Sequence, residues 1–283
     1  MYRELALIKE GETTMTAGSA TMQPNRSNQS GLANPALNPN AFERGIAQAP
    51  PAERTGMTAL GAYAKSGFLL VLTIAAGVFG WSEFEVITVN GQQVGLQPSW
   101  TWLAFLLTFI FGIAGVFAVR NLWIIGPLYA LSEGSLLGIS SHYFNLMWDG
   151  IVLQAVVATI AVFTATLLLY SAGVIKVTQK FAMGVTIALG AVALVYLTAW
   201  IISLFGVDFQ YWNDPSPWAI VLAGAVVILG ALTLPLSFEF IKQAADSGAP
   251  KYMEWYTAYG LMLSIIWMYI SILRLLALLR ASQ

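Results

Sequence analysis

The residues of this chain that could do chemistry are a few ionisable and hydroxyl side chains set within long apolar stretches. Glu133 lies in the middle of GPLYALSEGSLLGIS, residues 126–140. If this stretch crosses a bilayer, the carboxylate lies ~10 Å from the interface and costs about 2–3 kcal/mol to insert. It must then face the interior of the protein. Two interpretations stay open: a group that handles protons or cations, or a structural carboxylate that is neutral or paired with Arg120.

A second polar group lies in LTLPLSFEFIK, residues 232–242. Pro235 has no N–H to donate, so we expect a helix kink that frees a carbonyl beside Ser237 and Glu239. Interrupted helices often form ion sites in membrane proteins. However, Glu239 lies about 33 Å from the start of this apolar run, at the cytoplasmic edge. It could therefore be an interfacial residue paired with Lys242, one turn further on.

The third polar group lies in WMYISILRLLALLR, residues 267–280, where Ser271 and Arg274 stand about one helical turn apart. Arg274 lies near the outer end of this run, so we expect its side chain to extend to the interface. The alternative is that it anchors an interior carboxylate.

The composition is that of a membrane protein. Hydrophobic residues make up 58% of the chain and charged residues 10%, against about 25% charged in soluble domains. With one histidine and no cysteine, thiolate sites and metal sites of several histidines are excluded. The net charge of −1 does not favour nucleic-acid binding. We expect no cofactor, no bound metal centre and no enzymatic activity, since no nucleophile or phosphate-binding motif is present.

The apolar stretches predict an all-α membrane protein in which seven helices form a bundle over residues 56–283. Each run is close to the ~20 residues that cross a bilayer, and lipid cannot hydrogen-bond an open backbone. Gly134 and Gly138 form a G-x-x-x-G pattern that allows close helix packing. The predicted spans are about 66–83, 99–119, 126–145, 150–171, 181–205, 217–241 and 256–279.

Charge asymmetry predicts the orientation. The segments 84–98, 146–149 and 206–216 carry acidic residues and no lysine or arginine. By the positive-inside rule the N-terminus is then cytoplasmic and the C-terminus lies outside. Residues 1–55, which are polar and show no apolar period, are predicted to be a disordered cytoplasmic tail without a signal peptide. The opposite side carries the basic residues Lys65, Arg120, Lys176, Lys180, Lys242 and Lys251.

Four stretches carry a family resemblance. PLYALSEGSLLGIS, GAPKYMEWYTAYGLM, WMYISILRLLALL and NPALNPNAFER resemble the larger bacterial branch of the Bax inhibitor-1/YccA family. The resemblance implies a seven-helix bundle with a central last helix in the bacterial inner membrane. It also implies pH-sensitive calcium leak and protection from stress. Some bacterial members are associated with a membrane-bound protease, so such a protease is a possible partner besides the lipid bilayer.

The chain departs from the family at its pH sensor, a pair of carboxylates in the sixth and seventh helices. The matching positions here are Ser237 and Ser271, and serine does not titrate near neutral pH. We therefore expect a calcium or other cation leak with a weakened pH response, with Glu133 and Glu239 as the remaining acidic candidates. The alternative is a non-conducting regulator of a membrane protease or of a stress-response partner.

Overall fold

A computed structural model describes residues 56–205 and 216–283 of the chain. Within them lie seven α-helices, which confirms the predicted all-α membrane bundle. The predicted tail, residues 1–55, lies outside the described residues. The helices are α1 (Ala59–Ser82), α2 (Thr101–Phe117), α3 (Leu122–Met147), α4 (Ile151–Ser171), α5 (Gln179–Leu204), α6 (Pro217–Asp246) and α7 (Met253–Ala281).

Local signals explain where several helices begin. The Thr58 hydroxyl accepts a hydrogen bond from the Gly61 N–H and caps α1, which therefore begins earlier than its predicted apolar run. Thr178 caps α5 in the same way. Ser216 caps α6, and Pro217 occupies its first turn. Six of the described helices are long and apolar enough to cross a membrane, whereas α2 has only 17 residues.

The segment between α1 and α2, predicted as a loop, contains a β-hairpin. Strands β1 (Glu85–Val89) and β2 (Gln92–Leu96) pair antiparallel, with Ile87 opposite Val94. The turn between them is Asn90–Gly91, with φ of 52° and 82°. Positive φ at both central residues is the geometry that a tight two-residue hairpin needs. The ring of Phe84 lies where a Cβ at Gly95 would be, so the glycine lets the hairpin close onto this ring.

Helix α7 lies at the centre of the described bundle. It packs against α1, α3, α4 and α6. Tyr256, Tyr259 and Leu261 of α7 are among the largest fully buried side chains, together with Phe238 of α6. This is the central last helix that the family resemblance implies. Side chains of α7 therefore meet those of several other helices, and polar groups on it are the ones held in the interior.

The closest helix contact joins α1 and α3. A Cβ at Gly134 would overlap the carbonyl oxygen of Thr73, and one at Gly138 would overlap that of Gly77. On the other side of the contact, a Cβ at Gly80 would overlap the Ser135 carbonyl. Glycine at these positions lets the two backbones touch, as small residues do between membrane helices. Glu133 is next to Gly134 in the chain, so this contact fixes the direction in which the Glu133 side chain leaves α3.

Candidate ion-handling site

The Glu133 carboxylate lies on the face of α3 that meets α7. Glu133 follows Gly126 and Tyr129 by two turns and one turn, so the three residues share one helix face. Tyr129 packs edge-on against Tyr259 of α7, with ring centroids 5.3 Å apart. Glu133 interacts electrostatically with both tyrosines. The half-buried carboxylate therefore lies beside two phenol rings within the helix bundle.

The hydroxyl of Tyr259 completes this cluster. Its oxygen is buried and has no hydrogen-bond partner among the described residues. On the other side of the ring, a Cβ at Gly115 of α2 would lie 2.8 Å from the Tyr259 hydroxyl, so only glycine leaves room for it. Helices α2, α3 and α7 thus meet around one carboxylate and two phenols. A buried polar atom without a partner indicates a place where a water or an ion can bind.

The expected pairing of Glu133 with Arg120 is not present, whereas a neutral structural carboxylate stays open as the alternative to ion handling. The Arg120 guanidinium lies over the ring of Tyr252, 5.8 Å from its centroid, and does not pair with Glu133. Across residues 56–205 and 216–283 the one ion pair is that between Lys65 and Glu254. Among these residues, Glu133 has no cationic partner.

Ser237 is fully buried, and its partner on α7 is a different residue from the one expected. Its hydroxyl lies 3.3 Å from the Ser264 hydroxyl and also donates to the Thr233 carbonyl at 3.2 Å. Ser271 instead donates to the Trp267 carbonyl of its own helix at 2.8 Å. Ser237 and Ser271, the two positions matched to the family's carboxylate pair, are therefore not in contact: Ser264, two turns earlier on α7, is opposite Ser237. Both groups in this contact are neutral hydroxyls.

Pro235 lies within α6, which continues through it to Asp246. Hydroxyl groups bond to backbone carbonyls around the proline: that of Thr233 donates to Gly230 at 2.7 Å, and that of Ser237 to Thr233. Side-chain hydroxyls of this kind are one way in which membrane helices accommodate proline. Pro235 therefore modifies α6 locally and does not divide it into two helices.

Glu239 links α6 to α4. It accepts hydrogen bonds from the Tyr170 hydroxyl at 2.7 Å and from the Gln243 side-chain amide at 2.9 Å. Lys242 is exposed and does not pair with Glu239, so the expected pairing is corrected. The reason is geometric, because Tyr170 reaches Glu239 from α4. Glu239 lies on the opposite side of α6 from the buried Ser237 position and is half-buried.

A second carboxylate in the interior of the bundle, Glu254, was not identified from the sequence. It lies in the first turn of α7 with 2% of its surface exposed and forms an ion pair with Lys65 of α1. It also accepts hydrogen bonds from the backbone N–H and the hydroxyl of Thr58, at 3.0 and 3.3 Å. A Cβ at Gly61 would lie 2.5 Å from its Oε1 atom. These contacts satisfy the charge of Glu254 and join the start of α1 to the start of α7.

Arg274 is held by a neighbouring helix. Its Nη1 atom donates to the Tyr196 hydroxyl of α5 at 2.9 Å, and its guanidinium lies 5.7 Å from the centroid of the same ring. This contact was not predicted from the sequence, where extension to the interface was expected. Arg274 does not form an ion pair with Glu133.

The fold and the site define a multi-pass integral membrane protein with an acid in its interior. The family model described as Bax inhibitor 1 like matches residues 14–281, and the chain belongs to this family. Neither a curated protein nor a solved structure matched the chain.

Proposed function

We propose that this protein is a cation leak pathway, with calcium as the ion, in a bacterial inner membrane. The observation that carries the proposal is the Glu133 cluster. It combines a half-buried carboxylate without a cationic partner among the described residues and the unpartnered hydroxyl of Tyr259. An ionisable group inside a membrane bundle is costly, and its usual use is to handle an ion or a proton. Calcium accepts carboxylate and neutral oxygen ligands in flexible numbers.

Glu239 is the second acid of the proposed pathway. It lies near the end of α6, at the edge of the bundle that is predicted to be cytoplasmic, and is half-buried. Its carboxylate is oriented by Tyr170 and Gln243. An oriented acid at a pathway entrance raises the local cation concentration. We assign Glu239 to this entrance and Glu133 to the interior.

The contact between Ser237 and Ser264 supports a weak pH response. Where the family resemblance implies carboxylates, this chain places hydroxyls that stay neutral from pH 6 to 8. A pair of carboxylates would share a proton and change charge within that range. These two hydroxyls therefore add no change of charge to a cation path in that range.

Calcium flux into dye-loaded vesicles tests the proposal. We expect flux with a weaker pH response than a pair of carboxylates would give, and we expect Glu133→Gln to lower the flux about 10- to 100-fold. The reason is that removing a charged ligand costs about 1.5–3 kcal/mol. Glu85→Gln in the exposed hairpin is the matched control and should leave flux unchanged. Equal flux in the Glu133→Gln variant and the wild type would contradict the assignment.

A second function stays open because the Ser237–Ser264 contact is closely packed and uncharged. A bundle with such a centre could act as a non-conducting regulator of a membrane protease or of a stress-response partner. Absence of flux at every pH from folded, reconstituted protein would favour this function over the leak. Affinity capture of membrane proteins with the full chain and with a chain lacking residues 1–55 would then identify the partner.

A further inference from the structure

One face of α2 carries Ala104, Thr108, Gly112 and Gly115, which follow one another at steps of three or four residues. Residues at this spacing lie on the same side of a helix. Ala104 and Gly115 are buried, so this is the side of α2 that packs against the bundle. Ile110, on the opposite side, is exposed. The inner face of α2 therefore presents one hydroxyl, that of Thr108.

The Thr108 hydroxyl does not make the hydrogen bond that is usual for a hydroxyl within a helix. Those of Thr73 and Thr159 donate to the backbone carbonyl four residues earlier, at 2.9 and 2.7 Å. The Thr108 Oγ1 atom is buried and has no hydrogen-bond partner among the described residues, a condition that it shares there with Tyr259 Oη alone. A buried hydroxyl without a partner indicates a bound water or ion.

Contacts of glycine residues set the register between α2 and α3. A Cβ at Gly112 of α2 would lie 3.4 Å from the Tyr129 ring of α3. Gly115 follows Gly112 by three residues, and a Cβ there would lie 2.8 Å from the Tyr259 ring. Gly126 precedes Tyr129 by three residues, and a Cβ there would lie 4.0 Å from the same ring of Tyr259. The two helices therefore run antiparallel, with Gly112 level with Tyr129.

One turn further along, this register brings Thr108 level with Glu133. Thr108 precedes Gly112 by four residues, and Glu133 follows Tyr129 by four, which is the same direction in an antiparallel pair. Side chains lean toward the N-terminus of their own helix, so Thr108 and Glu133 lean away from each other along the pair. The two groups therefore border the same space from two helices without a direct hydrogen bond between them.

We propose that the Thr108 hydroxyl and the Glu133 carboxylate bind one hydrated cation between α2 and α3. The proposal rests on the proposed leak function for the identity of the ion, and it adds a ligand and the helix face along which the ion moves. Calcium combines carboxylate, neutral oxygen and water ligands in one coordination shell. The Tyr259 hydroxyl, beside Gly115 and about two helical turns from the level of Thr108, is the next oxygen along this face.

Labelling of a single cysteine tests the site without measuring flux, because the chain has no cysteine of its own. The Thr108→Cys variant in lipid vesicles is treated with a cationic and with an anionic methanethiosulfonate of similar size. Both reagents need a thiolate, which forms in contact with water and not in lipid. Thr108→Cys should therefore react, and Ile110→Cys, on the opposite side of α2, should not. A Thr108→Cys variant as unreactive as Ile110→Cys would overturn the proposal.

Adding Glu133→Gln to the Thr108→Cys variant measures the effect of the carboxylate. The ratio of the cationic to the anionic labelling rate should fall about tenfold, because a charge a few ångströms away in a poorly hydrated interior attracts a cation at least this strongly. Glu85→Gln in the exposed hairpin is the matched control and should leave the ratio unchanged. An unchanged ratio with Glu133→Gln, or an equal fall with Glu85→Gln, would refute the shared site.

Calcium flux distinguishes this proposal from the leak function on which it rests. Thr108→Val removes the hydroxyl at nearly constant volume and should lower flux about tenfold, whereas Thr108→Ser should retain most of it. Thr159→Val is the control, because the Thr159 hydroxyl is already bonded within its own helix. Wild-type flux in Thr108→Val would overturn the site and leave the leak function standing. No flux from the wild type would reject the leak function, and the labelling ratio would still decide the site.

Discussion

At the scale of single residues, the two carboxylates Glu133 and Glu254 of the helix bundle have different surroundings. Glu254 is paired with Lys65 and hydrogen-bonded to Thr58, so its charge is compensated and its role is to join two helices. Glu133 interacts electrostatically with the phenols of Tyr129 and Tyr259 and forms no ion pair with a described residue. The carboxylate that is left without a cationic partner is the one that fits an ion-handling role.

The sequence identified Glu133 but not Glu254, for a physical reason. Glu133 stands out because it interrupts an apolar run. Glu254 lies at the start of a helix, where an acid is ordinary. Its partners, Lys65 and Thr58, are 189 and 196 residues away along the chain. Contacts between residues so far apart depend on how the helices pack, and no local pattern reports them.

Ser264 was missed for a related reason. A serine within a membrane helix is common and has no distinguishing neighbours in the sequence. Which serine of α7 faces Ser237 depends on the length and shape of the connection between α6 and α7. That connection brings Ser264, and not Ser271, to the level of Ser237. Motif spacing alone matched Ser271 of α7 to Ser237 of α6, and Ser271 is two helical turns from Ser264, the residue that makes the contact.

The ion pair of Glu254 gives a prediction about stability. We expect Glu254→Gln to lower the free energy of unfolding by about 1.5–3 kcal/mol, because Lys65 and Thr58 lose a charged acceptor. Chemical unfolding in detergent measures this change. Glu83→Gln, at an exposed position after α1, is the control and should have little effect. A Glu254→Gln variant as stable as the control would show that this ion pair does not stabilise the bundle.

At the scale of secondary-structure elements, hydrophobic length predicted the helices well. The runs near 150–171 and 181–205 match α4 and α5 to within a few residues. The hairpin was missed although its Asn90–Gly91 turn, between apolar and β-branched residues, is a strong local signal. This signal lies in a short polar segment between two apolar runs, and hydrophobic length alone does not report it.

The contact between α1 and α3 gives a second prediction about stability. Gly138→Ala should lower the free energy of unfolding by about 1–3 kcal/mol, because its Cβ would overlap the carbonyl oxygen of Gly77. Gly184→Ala in α5 is the matched control, since its Cβ would meet nothing within 4 Å. Alanine favours a helix over glycine by up to about 1 kcal/mol, so the control should be neutral or more stable.

Thermal unfolding of the two glycine variants in the same detergent compares them directly. The order of stability should be Gly184→Ala, then wild type, then Gly138→Ala. If the two variants unfold at the same temperature, α1 and α3 do not make the close contact described above.

At the scale of the whole molecule, the two ends of the bundle have different polar features. One end carries the Lys65–Glu254 ion pair, and the other carries Arg274, which Tyr196 holds by a hydrogen bond. The Glu133 cluster contains residues of α3 and α7 that pack against α2. The acid assigned to ion handling and the ion pair that joins α1 to α7 are therefore separate features, and each can be changed by substitution without altering the other.

Of the seven described helices, α2 is the hardest to fit across a bilayer, because it is the shortest. Its 17 residues span about 25 Å, whereas the hydrocarbon core is ~30 Å thick. Local thinning of the bilayer can accommodate such a mismatch. If α2 did not cross the bilayer, the chain would cross it six times, and both ends of the chain would lie on the same side of the membrane. The interior position of Glu133 beside α2 and the orientation of the proposed pathway both depend on seven crossings.

Labelling of single cysteines tests the seven crossings most directly, because the chain contains no cysteine of its own. The Ala52→Cys and Ser282→Cys variants would each be treated with a membrane-impermeant maleimide, in intact bacterial cells and in inverted membrane vesicles. We predict that Ser282→Cys reacts in cells and Ala52→Cys only in inverted vesicles. Reaction of both cysteines in the same preparation would contradict the seven-helix bundle on which the proposed pathway depends.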